Sequence, residues 1–453
     1  MKSFIKEAIK DVSANYIDVR IEDSYLTEIN YNNNNLDLTS QIHIYGASVR
    51  AFVNGGWGFV TLNNLEHLKD AARTAAYIAN IVSNERKEKT GIASSNKLDV
   101  EVKAEMKNDF RNLNIEDKKN ILNSYNKTIS FFSSKTNIRS CIKYFDNFKN
   151  VYFYNSEGSY ISQEKADLAM KVDIYNESND LSSFETGSSN DFDIIKNNEE
   201  KIEDICRNSI NLLKTENVKS GIYTAILNPS LAGLFIHEAF GHLSEADNVY
   251  EDNNLKNIMV LGRRFGNEIF NVYDTGSEEG KRGYLIYDDE GIKSKKTYLI
   301  KDGLLTGRLN NRETAFKLNE DTTGNARAIN YKFPPVCRMR TICIENGSST
   351  FEEMISGIKF GIYALDGSEG ETNGELFTFT AGKAFIIKNG KITEMVKNVK
   401  LSGNVFKTLM NITMIGNDFA INESYKGCSK GDQSSLSVSS VSPHIKIENL
   451  IIA

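Results

Sequence analysis

The chain has 453 residues, 40% hydrophobic and 25% charged, which is the balance of an ordinary globular protein with two or three domains. The formal net charge is −6 and no block of Lys and Arg accumulates, which argues against a nucleic-acid-binding protein. No apolar run reaches the about 18 residues of a membrane span, and five scattered cysteines make no disulfide framework, so we expect a cytoplasmic protein.

The first 216 residues predict an α+β domain of two subdomains, each with helices packed on an antiparallel sheet. In the first subdomain, about residues 1–90, we expect a helix near 2–12, a strand at Ile17–Ile21, hairpin strands at Ile42–Val53 and Trp57–Leu62, and a helix at 64–82. Asn54-Gly55 is the turn signal of the hairpin. The first helix carries charges where a signal peptide needs an apolar core, so we expect no secretion signal.

A charged and then small, polar stretch at 85–97 predicts a linker to the second subdomain, about residues 98–216. There the pattern indicates a helix after Asn114, strands through 137–145, 150–155 and 159–175, and a helix at about 193–213. The order of helix and antiparallel strands thus occurs twice, although no sequence repeat accompanies it.

Residues 217–453 predict a β-rich C-terminal domain that carries one main helix. The apolar run Ile222–Leu227 reads as a buried strand, after which Asn228 supplies a helix N-cap and Pro229 the first helical position. Further predicted elements are hairpins at 298–305 and 385–392 and a helix at Phe351–Phe360. Residues 248–283 are polar and interrupted by Gly, which indicates a long loop that is either a lid or a surface insertion.

The main helix contains a metal-site motif, His237-Glu238-Ala239-Phe240-Gly241-His242. Imidazole is the commonest protein ligand for zinc, and a catalytic zinc site needs three protein ligands and one open position. A Glu directly after the first His is where hydrolytic zinc helices keep their general base. The motif therefore predicts two zinc ligands and a catalytic base, Glu238.

The spacing of the two histidines requires an irregular helix. Five residues correspond to a rotation of roughly 140° on an ideal helix, against roughly 40° for the familiar four-residue spacing. Either a wide π turn with i→i+5 bonding realigns the rings, or the helix ends near Gly241 and the chain swings His242 inward.

The residues alone do not identify the third zinc ligand. His43, His67 and His444 are isolated, and four cysteines lie in apolar patterns where a thiol behaves as a small hydrophobe: Cys141, Cys206, Cys337 and Cys343. Cys428 differs because it lies in a Gly-flanked loop with two nearby Lys that would favour the thiolate. It is either a ligand or an ordinary loop cysteine.

These residues resemble the TldD/PmbA metallopeptidases, known in older usage as modulators of DNA gyrase, and specifically the TldD branch, which keeps the histidine motif. The resemblance covers essentially the whole chain, and beside the motif itself the segments that carry it are 46–52, 287–291, 323–327, 361–364, 414–418 and 427–433. It implies that His237, His242 and Cys428 hold one Zn²⁺ per chain. Glu238 would then take a proton from the zinc-bound water, which is the nucleophile.

The resemblance also implies the substrate and the partner. Short or unfolded peptides would be held in extended form in an enclosed chamber, and the protein would be a homodimer or a heterodimer with a PmbA (TldE)-like paralogue. The alternative is a non-catalytic peptide-binding or assembly subunit on the same scaffold. Glu238 favours the peptidase, because a structural metal site has no use for an adjacent base.

Three further groups of polar residues support weaker predictions about their roles. Asn325 and Arg327 lie in a segment of the resemblance and offer an amide and a guanidinium to a substrate carbonyl or carboxylate. Glu245, three residues past His242, could accept the other ring N–H of that ligand, a role zinc sites commonly need. The cluster Asp288-Asp289-Glu290 reads as an acidic turn that caps a strand.

Overall fold

The structure, a computed structural model, describes residues 1–86 and 90–453, with the backbone alone described at 368 and 369. Residues 87–89 belong to the linker expected at 85–97 and lie outside the described residues. Helices and several antiparallel sheets are mixed along the chain, which confirms the predicted α+β class. Among the described residues, no helix has both the length and the apolar content needed to cross a membrane.

The described residues of the N-terminal part form four α-helices and seven strands. They are α1 (Lys2–Ile9), β1 (Tyr16–Asn32), β2 (Asn35–Val53), β3 (Gly56–Leu62), α2 (Leu68–Glu85), β4 (Asp99–Val102), α3 (Ile115–Ser133), β5 (Arg139–Asn155), β6 (Tyr160–Tyr175), β7 (Leu181–Ser188) and α4 (Glu199–Leu212). All seven strands belong to one sheet, in the order β3-β2-β1-β5-β6-β4 with β7 paired to β6. The two predicted subdomains therefore share a sheet, because β1 pairs with β5 along most of its length.

Each subdomain keeps a hydrophobic core of its own on that sheet. The first core packs α1 and α2 against β1 and β2 and includes Val19, Val49 and Ala75, while the second packs α3 and α4 against β5 and β6 and includes Leu122 and Val172. Close approach of α2 requires glycine in β3, since a Cβ at Gly58 would lie 1.9 Å from the Ala75 carbonyl oxygen.

The first strand is longer than the sequence predicts. The strand expected at Ile17–Ile21 is only the start of the 17-residue β1, because the polar run that follows Ile21 hides the continuing strand. β1 ends in a tight turn at Asn33 and Asn34, whose φ values of 47° and 67° are those of a hairpin turn that favours asparagine. The predicted turn at Asn54-Gly55 is confirmed, with φ values of 46° and 95°.

The C-terminal part is rich in strands, and its elements begin with β8 directly before the motif helix. They are β8 (Gly221–Leu227), α5 (Pro229–Ile236), α6 (Ala246–Glu251), α7 (Asn253–Ile258), β9 (Val272–Thr275), β10 (Thr297–Lys301), β11 (Leu304–Leu305), α8 (Arg312–Leu318), β12 (Ala326–Arg327), β13 (Val336–Cys337), β14 (Thr341–Ile344), α9 (Phe351–Ser356), β15 (Phe360–Asn373), β16 (Leu376–Lys388), β17 (Lys391–Val396), β18 (Lys400–Asn404), α10 (Val405–Met410), β19 (Ile412–Ile415), β20 (Ala420–Glu423), β21 (Cys428–Lys430), β22 (Gln433–Leu436), β23 (Ser439–Ser442) and β24 (Ile445–Ile452). Both predicted hairpins are confirmed as β10–β11 and β16–β17. The helix predicted at Phe351–Phe360 is shorter, because Gly357 follows its last turn and Phe360 already begins β15.

Two sheets enclose the motif helix. In the larger one the order is β15-β8-β24-β18-β16-β17, and β15 also pairs with β16, so that five strands close into a ring. The other sheet has the order β11-β10-β9-β14-β23-β20. Helix α5 contacts β15 of the ring and β14, β20 and β23 of the other sheet, so it lies buried between them with Phe235 in the main core.

Residues 248–283 are neither the lid nor the surface insertion that their composition predicts. Met259, Phe265 and Phe270 are buried in the main core, and Val272 begins β9, a central strand of the six-stranded sheet. The prediction is wrong because these apolar residues are spaced too irregularly to show a helix or strand period, although each of them is buried.

The acidic segment 288–290 lies buried at the junction between the two parts of the chain. Asp288 caps the local turn by accepting three backbone N–H groups, as the sequence predicts. The other two carboxylates cross the junction: Asp289 pairs with Lys165 at 3.0 Å, and Glu290 pairs with Arg50 at 3.0 Å. These ion pairs fix the N-terminal sheet against the C-terminal domain.

A buried carboxyl group, Glu423 on β20, makes stability depend on pH. Burial raises the pKa of Glu423 to about 8, against the lowering effects of the Ser439 hydrogen bond and the Arg282 charge. The folded chain therefore holds a proton that the unfolded chain loses near pH 4–5, and stability falls as pH rises from about 5 to about 8, by at most about 1.4 kcal/mol per pH unit. We expect Glu423→Gln, which cannot lose that proton, to raise Tm more at pH 8 than at pH 5.

Glu448 on β24 is an exposed carboxylate in the same domain and gives the matched control, Glu448→Gln. Its Tm difference from the unsubstituted chain should be the same at both pH values. An equal effect of Glu423→Gln at pH 5 and pH 8 would show that Glu423 is ionised in the folded state.

Candidate metal centre

The motif helix starts as predicted and then widens at the histidines. The Asn228 side chain accepts a hydrogen bond from the Leu231 N–H, which caps α5 behind Pro229. A π turn follows over His237–Gly241, with the His242 N–H donating to the His237 carbonyl, and a short 3₁₀ turn then leads away. Of the two alternatives for the five-residue spacing, the wide i→i+5 turn is confirmed.

This turn brings the two imidazoles to the same side. Their ring centroids lie 5.2 Å apart and the rings are nearly perpendicular, at 87°. Gly241 allows the turn to pack closely, because a Cβ there would lie 2.1 Å from the Met339 sulfur. His237 is buried, whereas the side chain of His242 is 22% exposed, so the pair opens toward solvent at one edge.

Cys428 reaches the histidines from a distant loop. It begins β21 after Gly427, whose φ of +64° and close approach to the Leu436 carbonyl both require glycine. The Cys428 sulfur lies 3.4 Å from His242 Nε2, and its carbonyl accepts a hydrogen bond from Arg338 Nη2 at 2.7 Å. The donor atoms of His237, His242 and Cys428 all lie within 4.8 Å of one another.

The three donor groups influence each other's protonation. Burial alone would raise the pKa of the Cys428 thiol, but His237 and His242 lower it well below its ordinary value, which favours the thiolate. Burial likewise opposes the charged form of His242, yet Glu245 and Cys428 raise the pKa of that imidazole. Metal binds thiolate and neutral imidazole, so binding at this cluster would release the imidazole protons.

Glu238 faces the open side of the cluster. Its side chain is 27% exposed, and its Oε2 lies 3.8 Å from His242 Nε2. Both residues line a cleft of about 590 Å³ together with Ser429 of the cysteine loop and residues 370–374 of the β15–β16 hairpin. Glu238 is therefore beside the donor atoms without being one of the three, and it is accessible from the cleft.

Glu245 lies behind His242, on the side away from the cleft. The carboxylate is fully buried, and its Oε2 accepts from His242 Nδ1 at 3.2 Å and from Asn248 Nδ2 at 3.2 Å. Burial alone would raise the pKa of Glu245, but His242 and Lys430 lower it to about 2, so the group is ionised.

The contacts of Lys430 and Asp247 in this region are not predicted from the sequence. Lys430 was expected to favour the Cys428 thiolate, but its ammonium group binds the carboxylates of Glu245 and Asp247 instead. Its spacing from Cys428 gave no reliable signal, because an irregularity between the two residues breaks the two-residue period of β21.

Asn325 and Arg327 lie outside the cluster, and their expected role at the substrate stays a prediction. Asn325 is fully buried, and its amide donates to Asp274 Oδ1 and to the Arg338 carbonyl. Both terminal nitrogens of Arg327 donate to backbone carbonyls, those of Met339 and Ser437. These side chains hold the strands around the cluster together, because a buried polar group must find its partners inside the protein.

The remaining cysteines and histidines lie outside the cluster. Burial raises the pKa of Cys206 and of Cys343 to about 12, so both thiols are protonated, in contrast to Cys428. His67 is exposed, and His444 binds the Tyr363 hydroxyl at 2.9 Å.

The π turn gives a direct test of the cluster. Inserting one Ala after Ala239 would leave a six-residue spacing that neither an α-turn nor the π turn closes, and His242 would rotate by roughly 100° relative to His237. We expect the insertion to carry His242 away from Cys428 and to weaken zinc binding by at least about 100-fold, more than the usual loss of an outer-shell partner. Competition with a chromogenic chelator measures that affinity.

Ala239→Gly is the matched control, because it changes the same buried position but keeps the spacing, and it should bind zinc like the unsubstituted chain. Unchanged zinc affinity in the insertion variant would show that His237 and His242 do not share an ion.

The chain is similar to known proteins over its whole length. The model of the PmbA/TldA metallopeptidase C-terminal domain matches residues 220–453, and that of the PmbA/TldA metallopeptidase domain 1 matches residues 17–79. A metalloprotease of Synechocystis sp. is 36% identical, with 97% of this chain and 95% of the relative covered. A zinc metalloprotease TldD homolog of Saccharolobus solfataricus is 29% identical, with 99% of both chains covered.

Solved structures share the fold at low sequence identity. A Thermotoga maritima protein, named as a candidate modulator of a DNA gyrase, superposes with a TM-score of 0.78 at 17% identity over 100% of this chain and 99% of its own. TldE from Thermococcus kodakarensis superposes with a TM-score of 0.71 at 17% identity over 100% of this chain and 98% of its own. At such identities the superpositions show the fold alone.

Proposed function

The chain belongs to the PmbA/TldD metallopeptidase family and is a metallopeptidase, and from that premise we propose that it is a zinc-dependent peptidase. In this proposal His237, His242 and Cys428 hold one Zn²⁺ per chain, and Glu238 is the general base. A relative over the full length is itself named a zinc metalloprotease, which supports the choice of metal.

The observation that carries the proposal is the convergence of the three donor groups beside Glu238. Two imidazoles and a thiolate, from segments nearly 190 residues apart in sequence, place their donor atoms within 4.8 Å of one another. Nitrogen and sulfur donors are those that zinc prefers, and three protein ligands leave one position for catalysis. The donor set therefore fits zinc, and the cleft of about 590 Å³ beside it gives access.

The roles of the side chains follow from their positions. When bound, zinc polarises the scissile carbonyl and lowers the pKa of a water molecule to about 7. Glu238 accepts the proton of the attacking water and passes it to the leaving amine, for which its carboxylate is accessible from the cleft. Glu245 accepts from Nδ1 of His242, which leaves Nε2 of that ring to face the metal.

The cleft suits an extended peptide, and this observation supports a substrate class of short or unfolded peptides. β15 pairs with β8 only from Gly361 to Ala364, whereas its partner β16 follows it to the hairpin end. Among the strands that the structure describes, none but β16 pairs with residues 370–373, so their other edge is open at the cleft, and a Cβ at Gly370 would lie 3.6 Å from the Glu238 side chain. A peptide can add to such an edge as a further strand.

We propose that the active form is a dimer in the cytoplasm, either of two copies or with a PmbA (TldE)-like paralogue. The likeness to TldE supports the paralogue relationship, and five free cysteines suit a reducing compartment. Mass measurement in solution, alone and after co-expression with the paralogue, distinguishes the two dimers.

The proposed function is tested by multiple-turnover hydrolysis of a fluorogenic extended peptide by the zinc-loaded chain, alone and with the paralogue. We expect cleavage that is abolished by a chelator and restored by zinc. Stoichiometric peptide binding without cleavage, in every combination, would instead support the non-catalytic peptide-binding or assembly subunit.

A further inference from the structure

Two pairs of side chains join the π turn of the motif to the cysteine strand β21. The first is the ligand pair, with His242 Nε2 3.4 Å from the Cys428 sulfur. The second is an ion pair, with Glu245 Oε2 3.0 Å from Lys430 Nζ. Glu245 follows His242 by three residues on a helical turn, and Lys430 follows Cys428 by two on β21, where an irregular pairing with β22 still leaves both side chains in contact with the 242–245 segment. The ion pair therefore links the same two segments that the metal would link.

The ammonium group of Lys430 is held on three sides. It donates to Asp247 Oδ1 at 2.6 Å and to the Cys337 carbonyl at 3.0 Å, and it forms an ion pair with Glu245 Oε2. The side chain is only 16% exposed, and its position on β21 is therefore fixed by two different segments of the C-terminal domain, one with Glu245 and Asp247 and the other with Cys337.

Glu245 links the position of Lys430 to that of the His242 imidazole. A single oxygen, Oε2, accepts from both the Lys430 ammonium and the Nδ1 of His242, and the carboxylate is completely buried. The Glu245 carboxylate orients the His242 imidazole. Any displacement of Lys430 would thus move this carboxylate or take away the positive charge that is paired with it. The opposite side of β21 is held by Arg338, which donates to the Cys428 carbonyl.

We propose that Lys430 is a positioning residue of the metal centre, which with Glu245 clamps Cys428 against the two histidines whether or not metal is bound. This inference rests on the proposed function, because it concerns the same three ligands. Removing the ammonium removes the only cation that Glu245 and Asp247 are seen to share among the described residues. Without this attraction β21 is no longer held to the segment after the π turn, and Cys428 is the ligand that leaves.

Cobalt(II) titration tests the inference, because a thiolate bound to cobalt gives a charge-transfer absorption that histidine ligands lack. We expect Lys430→Met to lose this band, as Cys428→Ala does, and to bind cobalt about 10- to 100-fold more weakly. Lys430→Arg keeps the charge and should restore the band at least in part. Lys426→Met removes the exposed lysine of the same loop and should leave both band and affinity unchanged.

Glu245→Gln is a second variant in case Lys430→Met does not fold, since it keeps the side-chain volume and removes the same ion pair; it should also lose the band. A folded Lys430→Met or Glu245→Gln protein with the full band and affinity would overturn the positioning role while leaving the metal site intact. Two other results of the cobalt titration would contradict the proposed function itself. An unsubstituted chain without the band, or a Cys428→Ala variant that keeps it, would remove both the ligand assignment and the positioning role.

Discussion

Replacing Glu238 with Gln is expected to lower kcat for peptide hydrolysis by at least about 100-fold, the usual contribution of a positioned general base. The amide of Gln cannot accept a proton, so the attacking water is no longer activated. Zinc content and Tm should stay unchanged, because Glu238 is not one of the three donor groups and its side chain is partly exposed. Initial rates with a fluorogenic peptide, together with metal analysis of the same preparation, measure the effect.

Glu371→Gln is the matched control for this experiment. Glu371 is an exposed carboxylate that lines the same cleft, so its removal changes the local charge but not the base. Its kcat should stay within a few-fold of the unsubstituted value. A Glu238→Gln protein that retains full activity would remove Glu238 as the base, and the mechanism would need a different proton acceptor.

Replacing Cys428 with Ala is expected to remove tight zinc binding. The thiolate is one of three ligands, so its loss should weaken the affinity by more than the about 10- to 100-fold that follows from loss of an outer-shell partner. Activity should fall in parallel at limiting zinc. The measurement is the zinc content after dialysis against a weak chelator, followed by titration of the metal-free protein.

Cys343→Ala provides the control, because Cys343 is a buried cysteine of the same domain whose thiol is protonated. It should lose some stability through the small cavity and keep a full equivalent of zinc. If Cys428→Ala also keeps a full equivalent of tightly bound zinc, the third ligand is another residue.

The local part of the metal centre could be derived from the sequence because its signals are short-range. Asn228 and Pro229 fix the start of the helix, and the five-residue spacing of His237 and His242 limits the following turn to two forms. The structure contains the π turn, and at Gly241 it packs against Met339 so closely that a side chain there would clash. This contact joins residues about 100 positions apart, so no local pattern reveals it.

The role of Cys428 and the roles of Asn325 and Arg327 depended on long-range contacts. Composition placed Cys428 in a glycine-flanked loop, but its approach to His242 depends on Gly427 and on Arg338, which no local pattern reveals. Asn325 and Arg327 are polar residues in a recognisable segment, and their partners are the Asp274 carboxylate and backbone carbonyls of residues distant in sequence. Polarity alone does not reveal such partners.

By itself, the sequence determined the α+β class, the hairpins marked by Asn-Gly and Asp-Gly, and the presence of two histidines and a glutamate on one helix, because turn chemistry and periodicity are local properties of the chain. Only the tertiary structure decided that both N-terminal subdomains share one sheet, that several apolar residues of 248–283 belong to the core, and that Lys430 binds Glu245. These outcomes depend on strand pairing and on buried ion pairs between residues far apart in the sequence. Such contacts form only when the whole chain folds and excludes water from its interior, so no segment by itself determines them.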